Sequence, residues 1–127
     1  ARIADSASAR QTLNGLTHPA IYAGIAQALR ELADQGHEAA IVEAALMVET
    51  GSYRTYPQLL VVSCSEATQV QRVMARDGVD EDAARAMVHA QLPMAEKEAV
   101  ATAVVRNEGD LAALEQAALA AWDGLSA

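Results

Sequence analysis

The fold of this chain is decided by residues 59–65, which read Leu59-Leu60-Val61-Val62-Ser63-Cys64-Ser65. Four consecutive apolar residues predict a strand over Gln58–Ser63 that is buried on both faces, as strands of parallel sheets are. The side-chain oxygen of Ser65 can cap a helix, which is predicted to continue to Arg76 before Asp77-Gly78 ends it. The stretch therefore predicts a strand-to-helix unit of an α/β fold.

The residues on either side of this unit carry further helix and strand patterns. Proline suits a first helical turn, glycine suits the position just after a helix, and Asp or Ser suits a helix N-terminus. These signals predict the following elements: helices over 5–16 and from Pro19 to Gly36, a strand over Ala39–Val48 (with a helix around Ala44-Ala45 as the alternative), helices from Asp80 to about Ala90 and from Pro93 through Val100, a strand over Ala103–Arg106, and an amphipathic helix from Leu111 to Leu125.

The composition restricts the class of protein. The 127 residues are 52% hydrophobic and 20% charged, which is typical of one soluble globular domain. No apolar run approaches the ~18 residues of a membrane span, so we expect no membrane insertion. The net charge of −8 argues against a nucleic-acid surface, which needs clustered cations. The single cysteine, Cys64, cannot form an internal disulfide; this fits a cytoplasmic location, and its apolar neighbours favour a buried structural thiol.

Two arginines follow the predicted strand at helical spacing. Arg72 and Arg76 are four residues apart, so they share one helix face. The carboxyl ends of parallel strands are where α/β folds bind ligands, and guanidinium groups match the oxygens of a phosphate. The spacing therefore predicts a phosphate clamp. The alternative is that both arginines are solvated, with Arg72 paired to Glu66 or Asp77 and Arg76 paired to Asp77.

Four motifs together resemble a known family, the dephospho-coenzyme A kinases. The longest, Val61 to Lys97, resembles the lid region of these enzymes, and the other three occur in the family's order and at about its spacing. Those three are Leu13-Asn14-Gly15-Leu16-Thr17-His18-Pro19, Leu46-Met47-Val48-Glu49-Thr50-Gly51 and Val104-Val105-Arg106-Asn107-Glu108-Gly109. The resemblance covers almost the whole chain and implies the carboxyl-terminal two-thirds of such a kinase.

The resemblance implies a fold and an organisation. We expect an α/β structure with a partial parallel sheet of the phosphate-loop NTPase type, joined to helical substrate-binding and lid segments. Residues 1–38 would be the helical part of the dephospho-CoA domain and residues 39–66 the core strands. Residues 67–100 would form the helical lid, and residues 101–127 the last core strand and the terminal helix. The implied reaction is ATP-dependent phosphorylation, with Mg²⁺, of the ribose 3′-hydroxyl of dephospho-CoA, the last step of coenzyme A synthesis.

Site residues are carried over from the family motifs one by one. The resemblance implies that Arg72 is catalytic and contacts the ATP phosphates, with Arg76 and Asn107 also on the nucleotide. It places Asn14, His18, Pro19 and Glu49 on the acceptor side, and Gln91 and Lys97 in the lid. Each has a structural alternative: a helix cap or core residue for His18, a turn residue for Asn107, and solvent exposure for Glu49. The alternative for Lys97 is a surface cluster with Glu96 and Glu98. His37 and His89 have no ligand partners at metal-site spacing, so we predict no metal site.

The chain contains no G-x-x-x-x-G-K-[ST] motif, and its only lysine is Lys97. Because that motif cradles the β- and γ-phosphates in the family, the chain alone is expected to be inactive. One alternative is a non-catalytic relative that binds CoA-like ligands or a protein partner. Another is an enzyme similar to nucleoside-monophosphate kinases, which share the lid.

The absent motif also has a consequence for the sheet. In phosphate-loop kinases the strand leading into that loop lies between the strands that correspond to Ala39–Val48 and Gln58–Ser63. Without it, both strands would face an empty lane with unpaired backbone groups. We therefore expect an upstream segment to supply the strand, or else a homo-oligomer or strand-swapped dimer. Direct pairing of the two strands is the third possibility.

Overall fold

The computed structural model of the chain describes residues 7–126. The chain divides into two compact units, one up to Ala44 and one from Ala45 onward. The first unit contains a single long helix, α1 (Ala7–Asp34). The second contains both strands, and all the other helices of the described residues belong to it.

Helix α1 runs without interruption through Pro19. The predicted break before Pro19 is therefore wrong, and the predicted start at Asp5 lies outside the described residues. An interior proline lacks the N–H donor and its ring crowds the carbonyl four residues earlier, but its φ angle is already helical. In α1 the helical residues on both sides continue the helix across it. The predicted end is confirmed: Gly36 has a left-handed φ of 83°, and its N–H donates to the carbonyl of Ala33 at 2.9 Å.

The strand predicted over Ala39–Val48 does not form. Residues 39–44 have no regular secondary structure, Ile41 is 78% exposed, and the short helix α2 (Met47–Thr50) follows. The prediction rested on apolar, β-branched residues, but a strand is stable only when another strand satisfies its backbone groups. Within the described residues no strand pairs with this segment.

The sheet consists of two parallel strands, β1 (Leu60–Ser63) and β2 (Ala103–Arg106). Leu60 lies opposite Ala103, and the register continues to Ser63 opposite Arg106. The ladder extends beyond both ends, because the Leu59 carbonyl accepts from the Ala103 N–H at 3.2 Å and the Ser63 carbonyl accepts from the Asn107 N–H at 2.7 Å. Both strands were predicted from sequence, and β2 has the predicted bounds.

The remaining helices follow the predicted capping signals. Helix α3 (Glu66–Asp77) is capped by Ser65, whose hydroxyl accepts from the Thr68 N–H, and it ends at Gly78 with a φ of 66°. Helix α4 (Glu81–His89) is capped by Asp80. Helices α5 (Met94–Ala99) and α6 (Leu111–Ser126) complete the chain, apart from a 3₁₀ turn at Ser52–Thr55.

The core of the second unit is small and lies between the sheet and its helices. Helix α5 packs against β1 and α6 packs against β2. The buried apolar side chains are Leu59, Val61, Val70, Ala84 and Val105. Because both strands pack against this core, it fixes the positions of their carboxyl ends, which lie beside the start of α3.

Candidate functional site

The carboxyl ends of β1 and β2 meet beside the first turn of α3. Cys64 and Ser65 follow β1 directly and lead into the helix, and Asn107 and Glu108 follow β2. The hydrogen bond from the Asn107 N–H to the Ser63 carbonyl holds the two connections together. This edge of a parallel sheet is where α/β proteins bind ligands.

Glu108 fastens the turn after β2 to the start of α3. One carboxylate oxygen accepts from the Ser65 N–H, and the other accepts from the Thr68 hydroxyl at 2.7 Å. The Thr68 hydrogen bond is the main cause that lowers the pKa of Glu108, and the Ser65 N–H acts in the same direction. A carboxylate is also favourable there because the N-terminus of a helix carries partial positive charge. The sequence predicted only a turn at Glu108, since its partners lie 40 and 43 residues earlier.

The lowered pKa of Glu108 leads to a pH-dependent prediction. Since the folded-state pKa lies below the ordinary value of 4.5, the contribution of the carboxylate is complete above pH 4.5 and is lost as the pH falls through the folded-state pKa. We expect the amide proton of Ser65 to lose its hydrogen-bonded NMR shift over this window. The variant Glu108→Gln should have no such titration. A Ser65 shift that stays constant down to acid unfolding would contradict the prediction.

Arg72 projects from α3 onto the connection after β2. Its Nη2 atom donates to the Asn107 side-chain oxygen at 3.3 Å. It also lies near the Cys64 thiol, whose pKa is raised by burial and lowered to a smaller extent by the charge of Arg72. Cys64 is half-buried, so the fully buried thiol that the sequence predicts is only partly observed.

Arg76 has a different environment although it lies one helical turn from Arg72. Its guanidinium makes two hydrogen bonds of 2.7 Å with the carboxylate of Asp77. The side chain is largely exposed. The structure therefore shows the pair that the sequence left open as the alternative, and Asn107 is bonded by Arg72 rather than by Arg76.

Three of the predicted site residues come together in a second cluster. Lys97 on α5 places its Nζ atom 2.6 Å from Oε1 of Glu49 on α2 and 3.0 Å from Oε1 of Gln91. Lys97 is only 8% exposed. The interpretation of Lys97 as a surface cluster with Glu96 and Glu98 is therefore wrong, as is that of Glu49 as a solvated carboxylate. A buried ammonium needs a paired charge, and here that charge comes from a residue distant in sequence.

Glu49 is a carboxylate under opposing influences. Burial alone would raise its pKa, but the hydrogen bond and charge of Lys97, with the backbone N–H groups of Glu49 and Leu92, lower the pKa overall. Its Oε1 atom also accepts from the Leu92 N–H at 3.4 Å. The other oxygen, Oε2, is buried and has no hydrogen-bond partner among the described residues. This geometry favours a role in positioning the chain over direct contact with a ligand.

Helices α3 and α4 form a hairpin that is held together by charged side chains. Glu66 at the start of α3 lies 2.8 Å from Arg85 and 3.0 Å from His89, both on α4. His89 is the main cause that lowers the pKa of Glu66. Arg85 and His89 are four residues apart, and this helical spacing is the signal that could have shown them sharing a partner.

The predicted acceptor-side residues Asn14, His18 and Pro19 all lie on α1, in the first unit. Asn14 and Pro19 are exposed, and His18 is half-buried. The His18 ring meets the Tyr22 ring edge to face, with 5.8 Å between ring centroids. The fourth, Glu49, belongs to the second unit.

Residues 7–126 lack two further kinds of site, a metal cluster and a membrane-spanning helix. No group of three or more His, Cys, Asp or Glu side chains there could hold a metal ion. Of the helices in this range, none combines the length and apolar character needed to cross a bilayer.

Comparison with known proteins gives one consistent family. The family model described as dephospho-CoA kinase matches residues 1–113. The dephospho-CoA kinase of Geobacter sulfurreducens is 40% identical over 119 residues, which are 94% of this chain and 60% of that protein. The chain therefore spans between one half and two thirds of the length of this curated relative.

Solved structures agree with the sequence comparison. The crystal structure of TT1252 from Thermus thermophilus superposes with a TM-score of 0.76 at 30% identity, covering 97% of this chain and 63% of that one. Dephospho-CoA kinase from Campylobacter jejuni superposes with a TM-score of 0.66 at 27% identity, covering 98% and 61%. The mostly helical α/β fold with its small parallel sheet thus matches the phosphate-loop fold predicted from sequence.

Proposed function

Because the chain belongs to the dephospho-CoA kinase family, we propose that it supplies the acceptor-binding, lid and adenine-side part of an enzyme that phosphorylates the ribose 3′-hydroxyl of dephospho-CoA with ATP. The observation that carries this proposal is the position of Arg72. It reaches across the carboxyl ends of both strands to Asn107, where a nucleotide would lie in this class of fold.

The ionic state of Arg72 supports a phosphate-binding role. The guanidinium groups of Arg76, Arg85 and Arg106 each pair with a carboxylate at 2.7–3.2 Å. Arg72 instead contacts a neutral amide, and none of the ion pairs found within residues 7–126 involves it. A phosphate could therefore bind Arg72 without first breaking an ion pair. Arg76 would have to release Asp77 before it could join in binding.

In the proposed reaction Arg72 acts on the charge that develops during phosphoryl transfer. A guanidinium beside the transferring group stabilises its equatorial oxygens. Asn107 keeps Arg72 at the strand ends and lies on the side where the family motif places the adenine. The ATP would arrive as its Mg²⁺ complex. Mg²⁺ that is bound with a nucleotide is held largely by the phosphates and by water, with only one or two protein side chains.

The outer edge of β1 supports the view that another strand completes this sheet. The carbonyls of Leu59 and Ser63 face β2, and alternate residues direct their backbone groups to opposite edges. The backbone groups of Leu60 and Val62 therefore face away from β2, and these two residues are 39% and 53% exposed. A strand that leads into a phosphate loop could pair there, from a covalently joined segment or from a different polypeptide, or a strand of a second copy could take that place.

The proposal is tested by acceptor selectivity in a polypeptide that joins this chain to a G-x-x-x-x-G-K-[ST] segment. We expect dephospho-CoA, rather than AMP, to be the preferred acceptor in an ATP-consumption assay. His18→Ala should raise the KM for dephospho-CoA and leave the KM for ATP nearly unchanged, because His18 is proposed to line the acceptor site.

Three outcomes would contradict parts of this proposal. Preference for AMP would favour an enzyme of the nucleoside-monophosphate kinase type. Binding of dephospho-CoA without turnover would favour a non-catalytic relative. A His18→Ala variant with lower thermal stability and an unchanged KM would show that His18 only packs against Tyr22.

A further inference from the structure

The cluster of Glu49, Gln91 and Lys97 joins three separate parts of the second unit. Glu49 lies on α2, Gln91 lies between α4 and α5, and Lys97 lies on α5. The Lys97 ammonium bonds both other side chains. The same Glu49 oxygen accepts from the backbone N–H of Leu92. The chain that leaves α4 is therefore held by a side chain and by its backbone at consecutive residues.

This connection follows the C-terminal end of the α3–α4 hairpin, which carries Arg72. The N-terminal end is the start of α3, where Ser65 and Thr68 bond Glu108. Within the hairpin, Glu66 bridges the two helices through Arg85 and His89. A hairpin linked in this way moves as a unit, so its two ends together determine where Arg72 lies.

The two ends of the hairpin differ in burial. Glu108 is exposed, whereas Lys97 is buried and the Glu49 side chain is only 18% exposed. Helix α5 is also linked to β2, since Glu98 lies 3.2 Å from Arg106. Buried ion pairs are weak sources of net stability, but they can specify one geometry. Here the geometry specified is the distance of the α4–α5 connection from α2.

We infer that Glu49, Gln91 and Lys97 are positioning residues that fix the C-terminal end of the α3–α4 hairpin and so hold Arg72 at the carboxyl ends of β1 and β2. The inference rests on the proposed function for the importance of that placement. These residues need not touch either substrate. They act because the Lys97 ammonium bonds both Glu49 and Gln91, and because the Glu49 carboxylate accepts from the Leu92 N–H, so directional bonds hold the connection at one distance from α2.

The test uses a double variant that removes both charges together. Glu49→Leu/Lys97→Met replaces the pair by apolar side chains of similar size, a change that folded proteins often tolerate. The single variant Lys97→Met leaves Glu49 buried and unpaired, and its failure to fold would not affect the argument. The matched control is Glu81→Gln, which removes the exposed Arg85–Glu81 pair at 2.7 Å on the same hairpin.

Amide hydrogen exchange in the 127-residue chain measures how firmly the α4–α5 connection is held. In the double variant we expect the Leu92 amide to exchange at least about tenfold faster, because its acceptor is gone and the connection is released. The Gly78 amide, which bonds the Met74 carbonyl at 2.9 Å, serves as the internal reference and should be unchanged. Glu81→Gln should change neither amide. Unchanged Leu92 exchange in a folded double variant would overturn the inference.

The single cysteine reports the position of Arg72 without any kinase assay. The charge of Arg72 lowers the pKa of Cys64. Loss of that contact should therefore shift the pH dependence of Cys64 alkylation to higher pH. We expect the double variant to slow alkylation by iodoacetamide at pH 8 by roughly threefold or more, in the direction of Arg72→Gln. A merely structural pair would lower stability and leave this profile where it was. Because neither readout needs catalysis, failure of the proposed function would leave this result interpretable.

Discussion

The 127-residue chain by itself is expected to show no ATP-dependent phosphorylation of dephospho-CoA. Phosphate-loop kinases hold the β- and γ-phosphates with a glycine-rich loop and its lysine. The chain has neither the motif nor a substitute for the lysine, because its only lysine is Lys97. The Nζ atom of Lys97 lies 2.6 Å from the Glu49 carboxylate. Lys97 cannot leave this pair to bind a phosphate without leaving the buried Glu49 carboxylate unpaired.

This expectation is checked by a sensitive assay of ADP release with purified chain, ATP, Mg²⁺ and dephospho-CoA. The same chain joined to a G-x-x-x-x-G-K-[ST] segment is the positive control and should turn over. Turnover by the chain alone, unchanged in the double variant Glu49→Leu/Lys97→Met, would mean that other residues hold the phosphates. It would remove the need for a phosphate loop in this protein.

Replacement of Arg72 by alanine in the joined polypeptide is expected to lower kcat by about 10³-fold or more, the range found when a guanidinium is removed from a phosphoryl-transfer site. The KM for dephospho-CoA should change little, since Arg72, which bonds Asn107, is proposed to bind the nucleotide and not the acceptor. We expect kcat to fall while KM stays nearly constant, because Arg72 would stabilise charge that develops only in the transition state.

Arg85→Ala is the matched control for this experiment. It removes a guanidinium from the same hairpin, but from a position already paired with the carboxylates of Glu66 and Glu81. We expect its kcat to stay within a few-fold of the starting value. Equal losses in the two variants would show that the effect comes from the hairpin as a whole, and an unchanged kcat for Arg72→Ala would remove it from the catalytic site.

Much of the second unit could be predicted because its signals are local. Ser65 and Asp80 cap helices with their own side chains, and Gly78 ends α3 in the left-handed conformation that glycine favours. β2 was predicted to the residue, because a short apolar run lies between two clear turns. Each of these elements is specified within a few residues of itself.

The predictions from sequence are wrong where a residue distant in sequence determines the structure, or where a helix tolerates a residue that usually ends it. Residues 39–48 are apolar enough for a strand, yet the described sheet offers them no partner. Lys97 has glutamates on both sides, but it pairs with Glu49 because burial on α5 directs it inward. Pro19 predicted a break in the helix, but α1 continues through it. For the candidate site, sequence supplied Arg72 and Asn107, while their contact and the role of Glu108 needed the fold.

The burial of Lys97 also bears on how this protein reacts with chemical probes. It carries the only side-chain amine in the chain, and it lies inside the second unit with 8% of its surface accessible. Acylating reagents and amine-directed cross-linkers can reach it only when the contact with Glu49 and Gln91 opens. The rate of acylation at Lys97 therefore measures how often this contact opens. Mass spectrometry can follow it with no label introduced into the chain.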